Sequence, residues 1–375
     1  MKMEIKNLSL LNFRNYEKQR VSFESGLNLL YGSNGQGKTN VLEAVYFLLT
    51  GKSYRVRQEK ELILWDQKSF YLHATCSVLD RIISLESYYE PGKKVMKVNQ
   101  IACKRLSDYV GIVNAVFFSP DDLSIIKKGP NERRRFLDLL ISQIKPSHIS
   151  LLNSYLRIIK QKNNLLKNEK NIFLLKSQLE IWNQQLIDIG SKIIINRAEF
   201  TERLNNHSQK IFKDIFSPNY NLSLNYFSLG KKDVSQALKV FPEILENKLL
   251  TEIERRTVII GPHRDDLLID LNGKPAKMFA SQGQQRTMVL CLKLSEMEII
   301  FNEKGDYPIL LLDDVLSELD EYRRKFLINY IDNSARQTLI TMTDLEKSLF
   351  KKGKAIYQII NGTIRRENNV SSFGK

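Results

Sequence analysis

A glycine-rich segment between an apolar run and a helical stretch constrains this fold most. Residues 27–31, LNLLY, are typical of a buried strand, and apolar residues at helical spacing begin after Asn40. The segment between them matches G-x-x-x-x-G-K-[ST] in the strand-then-helix setting that this pattern requires. It consists of Gly32, Ser33, Asn34, Gly35, Gln36, Gly37, Lys38 and Thr39. The chain is therefore expected to build an α/β domain around a phosphate-binding loop.

Each residue type in this loop has a physical task. Glycines let backbone N–H groups converge on phosphate oxygens, and the following helix offers its positive N-terminus. Lys38 would reach the β and γ phosphates, and the Thr39 hydroxyl can bind Mg²⁺. We expect the loop, together with Asn40, to bind ATP and magnesium. A glycine-rich turn with a chance Lys-Thr is the alternative, which the flanking strand and helix patterns disfavour.

An acidic pair follows a second apolar strand. Residues 309–312, ILLL, end in Asp313 and Asp314, which resembles a Walker B motif at the carboxyl edge of a sheet. Asp313 would hold Mg²⁺ directly or through water, and Asp314 would polarise the attacking water. With Lys38, these carboxylates are the expected catalytic groups. A solvated strand end is the alternative interpretation.

A third motif precedes the acidic strand. Ser281 and Gly283 lie just before the helical stretch 287–299, where a helix N-terminus can face an anion. A D-loop-like segment, residues 317–320, follows the acidic pair. The order of phosphate loop, signature, Walker B and D-loop is that of an ABC-type ATPase, and this order is more specific than any one motif.

Composition narrows the partners and the compartment. Lys and Arg number 57 against 42 Asp and Glu, a net charge of +15 that favours a polyanion such as nucleic acid or an acidic membrane surface. A solvated basic surface is the alternative. Cys76, Cys103 and Cys291 are widely spaced, which predicts neither disulfides nor zinc and suits a reducing cytoplasm. No run approaches the ~20 uncharged residues that would span a bilayer.

The patterns divide the chain into two kinds of structure. We expect an α/β ABC-type P-loop ATPase head, lobe I, in which a mixed sheet is covered by helices and which is formed by residues 1–130 and 257–375. Residues 131–256 are expected to form an inserted, mainly helical lobe II. Its helices look too short and too interrupted, near 167–171, for a long coiled-coil arm. A closing hairpin is expected around Asn361 and Gly362.

Four further segments, beside these motifs, resemble the RecF family. They are residues 13–16 (FRNY), 118–123 (FSPDDL), 129–138 (GPNERRRFLD) and 261–266 (GPHRDD). The resemblance covers nearly the whole chain and is weakest at about residues 145–255. It implies an SMC-related ATPase that binds DNA, duplex and single-strand/duplex junctions, at gaps or stalled forks. It also implies help in loading RecA, with mediator proteins of the RecR and RecO type as partners.

The same resemblance implies a site shared between two chains. Two copies would dimerise on ATP, and Ser281 and Gly283 of one chain would touch the γ-phosphate held by Lys38 of the other. Arg14 would contact the nucleotide, although pairing with a carboxylate is nearly as favoured. Asp314 stands where most ABC proteins have Glu, and residues 341–343 stand where a switch His is usual. These departures imply weak ATP hydrolysis, which we expect DNA to stimulate.

Other protein classes fit the motifs less well, whereas the roles of some residues stay open. A transporter subunit would carry Leu-Ser-Gly-Gly-Gln and a switch His; a long SMC protein would need hundreds of heptad residues; a small-molecule kinase has no use for the signature. In GPHRDD, His263 is either structural or functional, and Arg264 is the better functional candidate. The clusters at 52–57 and 133–135 are either DNA contacts or solvated ends.

Overall fold

The computed structural model describes residues 3–56, 58–216, 219–333, 336–344 and 354–367. Two compact units make up the chain: Met1–Asp122 with Glu296–Lys375, called here the first unit, and Leu123–Ser295, the second unit.

Both units contain strands and helices. The strands are β1 (Glu4–Phe13), β2 (Tyr16–Ser22), β3 (Leu27–Tyr31), β4 (Phe70–Val78), β5 (Arg81–Glu90), β6 (Lys93–Val98), β7 (Ile101–Ala102), β8 (Ala115–Phe118), β9 (Leu222–Phe227), β10 (Asp266–Leu271), β11 (Lys274–Pro275), β12 (Ile309–Asp313), β13 (Thr338–Met342), β14 (Lys354–Ile360) and β15 (Thr363–Arg366). The α-helices are α1 (Lys38–Thr50), α2 (Ser124–Lys127), α3 (Pro130–Ile144), α4 (Ser147–Asn168), α5 (Ile172–Ile215), α6 (Val234–Asn247), α7 (Leu249–Arg255), α8 (Ala276–Phe279), α9 (Gln282–Lys304) and α10 (Glu321–Asp332). Single 3-10 turns occupy Glu59–Leu62, Leu106–Asp108, Pro120–Leu123, Pro262–Arg264 and Val315–Glu318.

A mostly parallel sheet of the first unit carries the predicted motifs. Its strand order is β15-β14-β3-β13-β12-β8, and only the β14–β15 pair is antiparallel. Strand β3, which leads into the glycine-rich loop, is therefore one strand away from β12, which ends in Asp313. The carboxyl ends of parallel strands share one sheet edge. The predicted hairpin at Asn361 and Gly362 is confirmed as the β14–β15 turn.

The second sheet of the first unit is antiparallel, in the order β2-β1-β4-β5-β6-β7. Its strands alternate between a buried face, which includes Leu8, Leu72 and Ala74, and a more exposed one. Helix α1 is buried over almost its whole length and joins one hydrophobic core with both sheets. A helix that is apolar on all sides needs cover on all sides. The two sheets supply that cover and so fix the start of α1.

The helices of the second unit are longer than the sequence predicted. Helix α4 has 22 residues and α5 has 44, so the expectation of short helices was wrong, although the break near residue 170 is confirmed. Buried residues recur every seven positions along α5, at Leu179, Leu186, Ile193 and Phe200. Glycine and arginine on the same buried face interrupt this apolar pattern in the sequence. Their packing supports the helix instead: a Cβ on Gly190 would lie 3.1 Å from Phe241 of α6.

The second unit extends beyond both ends of the predicted helical segment. A three-stranded sheet in the order β11-β10-β9 packs on α3 and α5, and Leu267 of β10 pairs with Tyr226 of β9. Because β10 follows residue 256 but pairs with a strand before it, the compact unit includes GPHRDD and the start of α9. In the described part of the chain, no helix is long and apolar enough to cross a membrane.

A buried ion pair joins two helices of the second unit. Lys162 Nζ of α4 lies 2.6 Å from Glu252 Oε2 of α7, and both side chains are fully buried. Burial lowers the pKa of Lys162, whereas the Glu252 carboxylate opposes this shift. The other carboxylate oxygen of Glu252 accepts the Ile259 N–H at 2.9 Å. The pair thus fixes the chain just before GPHRDD.

Removing one partner of this pair is expected to destabilise the second unit strongly. Lys162→Met leaves a buried carboxylate without a counter-ion, which costs about 3–5 kcal/mol of unfolding free energy. The double variant Lys162→Met/Glu252→Leu should recover most of that loss. Urea unfolding of the full chain followed by circular dichroism measures both. The exposed pair Lys192–Asp188 is the control, and Lys192→Met there should change stability by less than about 1 kcal/mol. Equal stabilities of the single and double variants at 162 and 252 would contradict this account.

Candidate functional site

Two glycines of the loop are required by close contacts. Gly32 has φ 155°, and a Cβ there would lie 2.3 Å from the Ile359 carbonyl oxygen of β14. Gly37 has φ 115°, and its Cβ would lie 2.6 Å from Asn15 Nδ2 and 2.8 Å from the Tyr16 hydroxyl. Both positions therefore exclude side chains because neighbouring segments press on the loop.

The loop is closed around the Lys38 ammonium. Lys38 is buried, and its Nζ donates to the Gly32 carbonyl at 2.7 Å and the Ser33 carbonyl at 3.2 Å, with Asn34 Oδ1 at 3.4 Å. Helix α1 begins here without a side-chain cap and without an acidic residue in its first turn. Its positive end is thus available to an anion, and the loop fits a chain of phosphates.

The predicted metal ligands lie together. Asp313 is buried, and its Oδ1 accepts hydrogen bonds of 2.8 Å from the Thr39 and Thr341 hydroxyls. Burial raises the pKa of the Asp313 carboxyl, whereas these two hydrogen bonds oppose the shift and Asp314 adds to it. Hydroxyl and carboxylate oxygens are the hard ligands that Mg²⁺ prefers, and a cation would relieve the cost of this buried charge. Thr39 and Asp313 fit a magnesium site.

Asp314 is held in an unusual backbone conformation. Its φ of 49° lies in the left-handed region, which is uncommon for residues other than glycine, although aspartate adopts it more readily than most. Its N–H donates to Thr341 Oγ1 at 2.9 Å, and its carbonyl accepts the Ser317 hydroxyl at 2.7 Å. Thr341 therefore holds both the Asp313 carboxylate and the Asp314 backbone, a role that no sequence pattern indicated. Strain of this kind is typical of functional sites.

The FRNY segment supports the loop from the side. Asn15 Nδ2 donates to the Gln36 carbonyl at 3.0 Å, and Asn15 Oδ1 accepts from Asn40 Nδ2 at 2.8 Å. The Tyr16 hydroxyl donates to the Gly37 carbonyl at 3.0 Å. The segment thus contacts the loop through its polar side chains. Asn40, a predicted binding residue, takes part in this support.

Arg14 pairs with a carboxylate. Its Nε and Nη2 donate to the two carboxylate oxygens of Glu43 at 2.8 and 3.0 Å, and its Nη1 donates to the Glu61 carbonyl at 2.9 Å. Of the two sequence interpretations, pairing is the one observed, and contact with a nucleotide stays a prediction.

Glu43 is a supporting residue that the sequence analysis missed. Its side chain is fully buried, and it accepts the Ser53 hydroxyl at 2.6 Å besides Arg14, with Arg55 Nη1 3.8 Å away. Arg55 Nη1 also donates to Asn40 Oδ1 at 3.3 Å. The available signal was a single carboxylate inside the apolar run of α1, since a buried charge requires a partner.

The β14–β15 turn contacts the loop from the opposite direction. The Asn361 N–H donates to Gln36 Oε1 at 2.6 Å, and the Gly362 N–H donates to the Gln36 carbonyl at 3.1 Å. A Cβ on Gly362 would lie 2.4 Å from the Asn15 carbonyl oxygen. Gln36 is therefore held on both sides, by FRNY and by this turn.

The signature residues lie in the second unit, whereas Lys38, Thr39 and Asp313 lie in the first. Ser281 is exposed at the start of α9. Its Oγ accepts the Gln284 N–H at 3.2 Å, and Gln284 Oε1 accepts the Ser281 N–H at 2.8 Å. The Gly283 carbonyl accepts the Thr287 hydroxyl at 2.9 Å. This capping box fixes the first turn of the signature helix.

The predicted basic clusters have mixed positions. Arg133 is buried, and its Nε and Nη2 donate to both carboxylate oxygens of Asp266 at 2.7 and 2.9 Å, so its guanidinium has a structural role. Lys52 is exposed, and Arg57 lies outside the described residues.

The protein resembles known proteins over nearly its whole length. The family model for the RecF/RecN/SMC N-terminal domain matches residues 4–366. The DNA replication and repair protein RecF of Desulfitobacterium hafniense (strain Y51) is 50% identical over 365 residues, covering 97% of this chain and 100% of that protein. RecF of Natranaerobius thermophilus is 43% identical over 356 residues, covering 92% of each chain.

Solved structures agree with the fold. The recombination mediator protein RecF with ATP, from the RecFOR pathway, superimposes with a TM-score of 0.90 at 36% identity, covering 98% of each chain. An Smc head bound to the C-winged helix domain of ScpA has a TM-score of 0.56 at 18% identity, covering 97% and 96%. The predicted fold class is confirmed: an ABC-type P-loop ATPase head with an inserted, mainly helical lobe.

Gly32→Ala is expected to weaken nucleotide binding at least about tenfold, because its Cβ would displace the β14 backbone and open the loop. Titration with a fluorescent ATP analogue measures the affinity. Gly35→Ala is the matched control: it has φ 81° but open space around its Cβ, so it should lose only about 1 kcal/mol of stability through backbone strain. Equal affinities of the two variants would contradict the packing argument.

Proposed function

The chain belongs to the RecF family, and we propose that it is an ATP-dependent DNA-binding repair protein in which ATP serves chiefly to join two copies. The single observation that carries this proposal is the pairing of a Lys38-centred phosphate loop with the Thr39–Asp313 contact, in a chain whose signature residues Ser281 and Gly283 lie in the second unit. The loop supplies the cation and the helix N-terminus that bind a triphosphate. Binding alone, without rapid hydrolysis, is enough for ATP to join two copies.

ATP is the proposed ligand of the loop. Lys38 would exchange its contacts with the Gly32 and Ser33 carbonyls for phosphate oxygens, and the uncapped N-terminus of α1 would face the same charge. Thr39 and Asp313 would hold Mg²⁺, which when bound neutralises charge on the β and γ phosphates. The RecF structure with ATP supports this assignment by likeness.

Asp314 is the proposed group that orients the attacking water. It is half-buried, follows Asp313 directly, and is fixed through its N–H by Thr341. Its side chain is one methylene shorter than the Glu of most ABC proteins, and a Thr lies where a switch His is usual. We therefore expect weak ATP hydrolysis that DNA stimulates, with Lys38 and Asp313 as the other catalytic groups.

Dimerisation is the proposed use of the signature. Ser281 is exposed, and its N–H is held by the Gln284 side chain. Its hydroxyl accepts the Gln284 N–H and can still donate its own hydrogen to an acceptor outside the chain. With Gly283 it would complete the phosphate site of a second copy. ATP would then bind the paired state more tightly than the separate chains, which is the condition for any ligand-driven switch.

DNA and mediator proteins are the proposed partners. The relatives are named as DNA replication and repair proteins, and one solved relative as a recombination mediator of the RecFOR pathway. By likeness, the dimer would act on duplex DNA and single-strand/duplex junctions at gaps or stalled forks. It would assist RecA loading with proteins of the RecR and RecO type. The transporter alternative has no support among these relatives.

Three substitutions separate the proposed steps. Lys38→Met should abolish ATP binding, since it removes the cation within the loop. Asp314→Asn should keep binding and dimerisation but lower turnover at least about a hundredfold, as loss of a group in general-base chemistry does. Ser281→Arg should keep ATP binding but prevent dimerisation, because a bulky cation would occupy the shared contact. Nucleotide titration, phosphate release and sedimentation measure the three properties.

Ser177→Arg is the matched control for Ser281→Arg, since Ser177 is an exposed serine of the same unit on a helix remote in sequence from the signature. It should dimerise like the unmodified protein. Dimerisation of Ser281→Arg with ATP would refute the shared site.

A further inference from the structure

Residues 261–266 form a segment whose backbone is held by several close contacts. Gly261 has φ 131°, and a Cβ there would lie 2.3 Å from the Tyr155 hydroxyl of α4. The Pro262 carbonyl accepts from Arg197 Nη1 of α5 at 2.6 Å, and Arg197 is itself paired with both carboxylate oxygens of Asp138. The Arg264 N–H donates to the Gly261 carbonyl at 2.9 Å.

His263 is structural. Its Nε2 lies 3.4 Å from the Val258 carbonyl oxygen, which can only accept, so this nitrogen carries the hydrogen. Its Nδ1 therefore accepts from the Tyr155 hydroxyl, 2.7 Å away. Burial lowers the pKa of His263 to about 4, and the charges of Arg264, Arg134 and Lys162 act in the same direction. The imidazole is thus neutral at neutral pH and serves as a connector.

Both aspartates of the segment are also occupied. Asp265 is buried, its Oδ2 accepts the Tyr226 hydroxyl, and its carbonyl accepts from Arg134. Asp266 is held by both arms of Arg133. Every polar side chain in residues 261–266 except one is therefore used within the second unit.

Arg264 is the exception. Its side chain is exposed and donates to no acceptor among the described residues. The other three arginines of this network are engaged: Arg133 and Arg197 pair with the Asp266 and Asp138 carboxylates, and Arg134 donates to the Asp265 carbonyl. Arg264 is the surplus charge. Desolvation of buried ion pairs offsets most of their attraction, so this network adds little net stability. We therefore infer that the network serves to position Arg264.

The second unit holds most of the net charge. Residues 123–295 contain 28 Lys and Arg against 16 Asp and Glu, a net +12 of the total +15. Arg264, whose backbone is held in place, thus lies in the unit whose positive electrostatic field attracts a polyanion.

We propose that the Arg264 guanidinium binds a backbone phosphate of DNA. A planar fork with five donors matches a phosphodiester in two parallel hydrogen bonds, and such contacts position a protein on DNA without reading its sequence. Because the backbone of Arg264 is already fixed by its neighbours, DNA binding would not have to order a loop, and only the side chain would lose conformational entropy. This inference rests on the proposed DNA-binding function and names a residue that carries it.

The test compares full-length protein with Arg264→Ala, Arg264→Lys and the matched control Arg157→Ala, which removes another exposed arginine of the second unit. Fluorescence anisotropy with labelled duplex DNA and ATP is measured across a series of salt concentrations. Arg264→Ala should weaken binding about tenfold at low salt and reduce the slope of log K against log salt by about one per bound protomer. Arg264→Lys should restore the slope but only part of the affinity, and Arg157→Ala should match the unmodified protein.

Several results would overturn the assignment. Unchanged affinity and slope in Arg264→Ala would remove its role while leaving the proposed function intact. If Arg264→Ala no longer dimerised with ATP in the absence of DNA, the phosphate bound by Arg264 would be that of the nucleotide on a second copy, not that of DNA. An equal loss of DNA affinity in Arg157→Ala would show that Arg264 contributes only through the overall positive charge of the unit. Absence of DNA binding by the unmodified protein would refute the proposed function and this inference together.

Discussion

The hydrogen bond between the Thr39 hydroxyl and the Asp313 carboxylate joins two motifs that are 274 residues apart in the sequence. It depends on the strand order that leaves only β13 between β3 and β12, and on an α1 that both sheets bury. If α1 shifted by one residue, Thr39 would leave Asp313 and Lys38 would leave the centre of the loop. The packing of the first unit is thus the condition for a site that can hold a phosphate and a cation together.

The sequence was sufficient to place the glycine loop between β3 and α1 and the acidic pair at the end of β12, because each carries a local pattern tied to a known geometry. The sequence was insufficient to identify the residues that support this site. Glu43 and Thr341 act through contacts with segments distant in sequence, so no local spacing pattern indicates their roles. The length of α5 was also missed, because Gly190 and Arg197 occupy its buried face for reasons of packing and hydrogen bonding that only the folded chain supplies.

Buried charge serves the same purpose in both units. Glu43 fixes Arg14 beside the loop, and Asp266 fixes Arg133 beside GPHRDD. Buried pairs of this kind contribute little net stability compared with apolar packing, but they define one arrangement. In the first unit that arrangement supports the loop and in the second it presents Arg264. The capping box at Ser281 likewise fixes a residue whose proposed target is a second chain.

The proposed role of ATP is that of an assembly signal. Sedimentation of the unmodified protein with ATP, with ADP and without nucleotide, each with and without duplex DNA, distinguishes this role from that of a simple fuel. The account predicts that ATP alone doubles the molecular mass, that ADP does not, and that DNA increases the fraction of the paired species. A mass that stays that of one chain with ATP and DNA, while ATP is demonstrably bound, would contradict it.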